Sequence, residues 1–218
     1  MTARPASMYR EKNKRDLTER LGLAPDALPG AGNWFPEEGV LSLLVDQVEA
    51  REHCHAVVCG SGLSVAVLAR ACQLAGTGPV WAIESDDRSV AVTRGLLARI
   101  GAKAHIIKAE LTQYDQHNLW YARWSVSELP NRIDLLFLDG PGHFAGRTPR
   151  WPAGPELFPR LAGDGVVVLD DSRRVKEKKA MQRWAEQFPD LVKTRHKRGG
   201  GAALLSQRLE RDKKRDKD

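Results

Sequence analysis

Gly60-Ser61-Gly62 follows the apolar run Ala56-Val57-Val58-Cys59 and precedes residues whose apolar positions recur at helical spacing. Glycines let a backbone turn sharply and approach a ligand closely, and the N-terminus of the following helix offers unpaired N–H groups. Glu84 ends the next apolar run, where a carboxylate can accept hydrogen bonds from both hydroxyls of a ribose. Together these residues predict a nucleoside site. Asp139, Asp170 and Asp171 end later apolar runs. Carboxylates gathered at neighbouring strand ends suit magnesium (Mg2+), which takes oxygen ligands and lowers the pKa of a coordinated hydroxyl. His143, just after Asp139, is a candidate general base.

These side chains need a scaffold that brings strand ends to one edge. Apolar runs fall at 56–59, 80–84, 104–108, 134–139 and 166–170, each followed by a helical or loop stretch. Runs of this kind predict buried parallel strands. Between them, Leu63, Val67, Ala71 and Leu74 share one helix face, Val92, Leu96, Leu97 and Ile100 a second, and Met181, Trp184, Ala185 and Phe188 a third. A further helix is expected over 38–51, behind Pro36. "LVKTRHK" and "AALLS" flank Gly199, Gly200 and Gly201 and read as two strands joined by a tight turn. The fold class is therefore α/β: a doubly wound, Rossmann-like, seven-stranded sheet with a C-terminal antiparallel hairpin. Its ligands belong beyond the carboxyl ends of the strands, near the switch point, where Gly60-Ser61-Gly62 falls.

Composition narrows the function further. With 218 residues, no membrane-length apolar run and no apolar segment after the N-terminal charges, the chain reads as one cytoplasmic domain with appendages. Cys54, Cys59 and Cys72 are an odd number and are expected as free thiols. His53, Cys54 and His55 are adjacent, point to opposite faces of a strand, and cannot converge on one metal ion. The net charge of +6 comes largely from the two ends and from residues 173–179, runs that read as solvated surface. No aromatic residues interleave them, so a nucleic-acid partner is not expected. Arg147, Arg150, Arg173 and Arg174 lie on loops at the ligand edge and favour an anionic acceptor.

In their order and spacing, "CGSGLS", "AIESDD", "IDLLFLDGPGH", "PRWPAGPELFPRLAGDGVVVLDDSRR" and the glycine-hinged terminal strands resemble the class I S-adenosylmethionine-dependent methyltransferases, and within them the O-methyltransferase-like branch. The resemblance runs from Trp34 to Gln207, giving an N-terminal extension (1–33), a methyltransferase domain (34–207) and a charged tail (208–218) expected to be disordered. It implies methyl transfer from S-adenosylmethionine to a hydroxyl of a small molecule or glycan. Gly60, Ser61 and Gly62 would pass beneath the cofactor's methionine, Glu84 would hold its ribose, and Ala109 would lie near the adenine edge. Asp139 would face the sulfonium and the acceptor. Metal-dependent members place acidic residues where Asp139, Asp170 and Asp171 stand, and Trp120, Tyr121 and Trp124 would wall the acceptor pocket. Members commonly carry an acid two positions before the first glycine, where this chain has Val58. That departure keeps a cofactor-binding relative without catalysis as an alternative. A nicotinamide-dependent oxidoreductase is a second alternative, disfavoured by Val65 at the third glycine position and by the terminal hairpin.

Overall fold

β1 (Ala56–Cys59) has no alternation of polar and apolar residues because both of its faces are covered, and all four residues are buried. The computed structural model, which describes residues 15–29, 36–194 and 201–207, places β1 inside a seven-stranded sheet, between β2 and β6. In one direction the chain proceeds through α3 (Leu63–Ala75), β2 (Val80–Glu84), α4 (Asp87–Ile100) and β3 (His105–Lys108). In the other it adds β6 (Ile133–Leu138) and β7 (Leu161–Leu169), and these five strands are parallel. β8 (Leu191–Thr194) and β9 (Ala203–Gln207) complete the order β3-β2-β1-β6-β7-β9-β8, with β9 antiparallel to both of its neighbours. The antiparallel terminal pairing is the one expected from the sequence. Its glycine turn at 199–200 and the 208–218 tail lie outside the described residues.

Strand alternation divides the core into two layers. Ala56 and Val58 join Ala82, Phe137 and Val168 against α1 (residues 15–20), α2 (Glu38–Glu49), α3 and α4. Val57 and Cys59 join Ile83, Leu138 and Val167 against the opposite helices. Those are α5 (Arg123–Ser127), α6 (Ala153–Leu157) and α7 (Val175–Gln187). Leu17, Leu21 and Leu28 are buried in the first layer, so residues 15–29 of the expected extension share the domain's core. Arg20 fastens that segment to Asp46 of α2 at 2.7 Å.

Two features depart from the sequence reading. β7 begins at Leu161, several residues early, because Leu161 pairs with Ile133 ahead of a register shift. Between β3 and α5 the chain forms a separate antiparallel pair, β4 (Leu111–Gln113) and β5 (Leu119–Tyr121). Trp120 and Tyr121 of β5 are buried under this pair, whereas Trp124 on α5 is 52% exposed. Among the described residues no helix is long and apolar enough to cross a membrane.

Val58 belongs wholly to the first layer, with no exposure. A carboxylate at this position would enter the core without a partner. Val58→Glu is therefore expected to destabilise the fold by several kcal/mol, read as a lower urea midpoint. An unchanged midpoint would mean that position 58 opens towards the ligand side.

Candidate functional site

Backbone bonds beyond the strand ends fix the site's rim. Gly60 N–H donates to the Ile83 carbonyl (2.9 Å), Gly140 N–H to the Cys59 carbonyl (2.7 Å), and Asp170 N–H to the Leu138 carbonyl (3.0 Å). The carboxyl ends of β2, β1, β6 and β7 thus share one edge, and the chain reverses direction through the sheet at β1. Gly60 has φ +113°, and a Cβ there would stand 3.2 Å from Gly140 N, so two strand ends meet where only glycine fits.

The nucleoside side of the rim is built around Glu84. Its Oε1 accepts from the N–H groups of Ser85 (2.6 Å) and Asp86 (2.8 Å), and its Oε2 accepts from Ser61 Oγ (2.7 Å). These bonds aim the carboxylate before any ligand arrives. Ala109 N–H donates to the Glu84 carbonyl at 2.8 Å, which sets Ala109 beside it, buried in the second core layer. Gly62 N–H is taken by Thr93 Oγ1 (2.7 Å), and α3 starts without a side-chain cap. An uncapped helix start accepts an anionic group.

The acidic side gathers Asp139, Asp170 and Asp171, whose nearest carboxylate oxygens lie within 4.8 Å of one another. Loss of solvation, increased by Asp170 and Asp171 and opposed by Arg150, raises the Asp139 carboxyl to about 7. Burial also raises Asp170. Arg150 is the counterion. It is 4% exposed, donates to the carbonyls of Asp170 (2.8 Å) and Asp139, and lies 3.4 Å from both Asp139 Oδ1 and Asp171 Oδ2. Glu177 of α7, also buried, faces Arg150 Nε at 3.9 Å, and Arg174 pairs with Asp171 at 2.8 Å.

Two of the four loop arginines are engaged within the protein. Arg150 and Arg174 neutralise the protein's own carboxylates instead of waiting for an anionic acceptor, and Glu177 shows that residues 173–179 are not all solvated surface. His143 lies exposed at the start of a short 3₁₀ turn, and its ring nitrogens are not part of the carboxylate group. Tyr121, expected from the sequence to wall the acceptor pocket, is buried beside Gly140 at the rim. Its hydroxyl stands so close to Gly140 that a Cβ there would come within 2.7 Å, and burial pushes the phenol well above its usual range.

A family model described as a methyltransferase domain matches residues 57–172, more than half of the chain. The chain belongs to this methyltransferase family. The matched span contains every rim residue named above except Glu177 and Arg174. Among curated proteins none matches the sequence. Solved structures share the fold. A precorrin-6y C5,15-methyltransferase of Geobacter metallireducens is 16% identical over 85% of this chain and 95% of its own, with a TM-score of 0.58. A Podospora anserina methyltransferase in its SAH-bound form is 14% identical over 95% and 99%, TM-score 0.57. An O-methyltransferase of Streptomyces achromogenes involved in tomaymycin synthesis, in complex with SAM, is 16% identical over 95% and 92%, TM-score 0.51. The methyltransferase domain therefore places its glycine turn, Glu84 and the carboxylates on one rim, and the family sets the oxidoreductase alternative aside.

Proposed function

We propose that the protein transfers a methyl group from S-adenosylmethionine to a hydroxyl oxygen of a small-molecule or glycan acceptor. The observation that carries the reading is the placement of Asp139, a carboxyl largely withdrawn from solvent, on the same rim as the Ser61–Glu84 pair. When bound, the cofactor supplies a methyl group already activated on sulfur. The chain's own residues then have three tasks. Glu84, held by Ser61, Ser85 and Asp86, accepts from the ribose hydroxyls, with Ala109 against the adenine. The Gly60–Gly62 turn and the uncapped start of α3 take the methionine portion. Asp139 receives the proton that an alcohol must lose to attack carbon, and a base is most effective when its pKa lies near the working pH.

A second reading follows from the convergence of carboxylates. Each keeps one oxygen without a hydrogen bond to a described residue, Asp139 Oδ2, Asp170 Oδ2 and Asp171 Oδ1, so the donor set suits a hard divalent cation. Asp139, Asp170 and Asp171 would hold Mg2+, which supplies Lewis acidity towards the acceptor hydroxyl. Proton transfer by His143 is the weaker variant, because its ring is not gathered with the carboxylates.

Binding of S-adenosylhomocysteine, measured calorimetrically, tests the cofactor assignment. Glu84→Gln is the suitable variant, since truncation to Ala would also release the Ser85 and Asp86 N–H groups. Affinity is expected to fall roughly ten- to hundredfold, as for lost hydrogen bonds to a charged group. Equal affinity would remove Glu84 from the site. With labelled cofactor and an alcohol panel the expected product is a methyl ether, whereas binding without turnover would favour the non-catalytic alternative raised by Val58.

A further inference from the structure

A second concave feature lies one loop away from Asp139. Between the β4–β5 turn, residues 146–148 and the first half of α7 is a groove of about 540 Å³, lined by His117, Arg147, Lys176, Lys179 and Arg183, with no carboxylate among its lining residues. Its size is that of a small-molecule site.

The groove is rigidly built. Asp115 is committed to the turn, accepting from the N–H groups of His117 (2.7 Å) and Asn118 (2.8 Å). Buried Asn118 accepts from Thr148 N–H (2.8 Å), and Arg147 N–H donates to the His117 carbonyl (3.1 Å). A Cβ at Gly146 would collide with the His117 carbonyl, so the two walls are locked together. Along α7, Lys176, Lys179 and Arg183 fall on one helical face, while Glu177, Ala180 and Trp184 fall on the next and are buried.

The cations are arranged in two ways. Lys176 Nζ clamps the loop by donating to the carbonyls of His143 (2.7 Å) and Gly146 (2.6 Å), and the Arg183 guanidinium lies 3.4 Å above the Trp151 ring. Arg147 and Lys179 have no ion-pair partner among the described residues. Asp115 offsets part of the Arg183 charge, but the charges of Arg147 and Lys179 repel their cationic neighbours, and a bound anion would relieve that cost.

We infer that this groove seats a phosphate group carried by the acceptor. A phosphate presents close to two negative charges and three acceptor oxygens, which several convergent donors can meet together. A nucleic acid fits less well, because no Phe, Tyr or Trp lines the groove for successive bases to stack on. The clamped loop from His143 to Gly146 connects the groove to the Asp139 turn, and an acceptor with its phosphate in the groove would extend along it towards Asp139. The word acceptor rests on the methyl-transfer reading, while the phosphate site itself does not.

The test titrates inorganic phosphate into the full-length protein, following backbone amides by NMR, with S-adenosylhomocysteine binding measured in parallel. Saturable shifts are expected at residues 117–118, 146–148 and 176–179. Arg147→Glu combined with Lys179→Glu should weaken phosphate at least about tenfold and leave S-adenosylhomocysteine affinity unchanged. Shifts scattered over the surface, or equal affinity in the double variant, would overturn the proposal. So would oligothymidylate binding in the groove without saturable phosphate binding, which would point to nucleic acid instead. Phosphate binding that persists where S-adenosylhomocysteine fails to bind upholds the groove and counts against the methyl-transfer reading alone.

Discussion

Asp139→Asn is expected to lower kcat by about 10²- to 10⁴-fold, the range for removing a positioned general base, while S-adenosylhomocysteine binds nearly as before. The unmodified protein should show a kcat that rises through a pH near 7, where the Asp139 carboxyl loses its proton. Stability should move the opposite way. A carboxyl whose folded pKa lies above its unfolded value of about 3.9 binds more protons in the native state, so the fold loses stability as pH rises from about 4 to about 7. The loss is on the order of a few kcal/mol, and Asp139→Asn should flatten the dependence of the urea midpoint on pH. Treatment with EDTA separates the two readings of the cluster. Activity that survives chelation assigns the proton directly to Asp139, and activity that vanishes and returns with Mg2+ assigns a cation to the three carboxylates. A variant with wild-type turnover would remove Asp139 from the reaction.

Arg150→Met should have the largest effect on folding. The guanidinium is 4% exposed and is held by the Asp139 and Asp170 carbonyls and by the carboxylates of Asp139, Asp171 and Glu177. Removing one partner of a buried ionic group strands the others, at about 3–5 kcal/mol. The same loss removes the group that holds the Asp139 carboxyl down, so the acid limb of the pH–rate profile should move above 7. Urea unfolding and a pH profile read the two effects separately. Wild-type stability with an unmoved profile would reduce Arg150 to a bystander.

Much of this architecture is legible in the residues. Runs such as Ala56–Cys59 and Ile133–Leu138 are too short and too apolar for anything but covered strands, and the glycine turn after the first locates the switch point. Ala109 follows from the family resemblance alone, and the structure sets it beside Glu84, which pairs with Lys108, the residue before it. What the sequence conceals depends on distant partners. Arg150 stands in a loop like any surface arginine, and only the convergence of Asp139, Asp171 and Glu177 explains its burial. Its apolar neighbours Trp151, Pro152 and Ala153 were the available signal. Glu177 was hidden among four nearby basic residues, although its spacing to Ala180 and Trp184 marks a buried helix face. The β4–β5 pair has only three residues in each strand, below the length at which alternation becomes readable.

The position of β9 has a consequence for biosynthesis. Because this late strand lies between β7 and β8, a nascent chain that has emerged only as far as Thr194 presents Val166–Leu169 as an open edge, exposed to pairing with other chains. The residues leading into β9 also finish the acidic turn: the Gly201 carbonyl accepts both the N–H (2.8 Å) and the hydroxyl (2.7 Å) of Ser172, next to Asp171. During ribosomal synthesis, therefore, the turn that carries Asp171 gains its Ser172 anchor only after the residues leading into β9 have emerged.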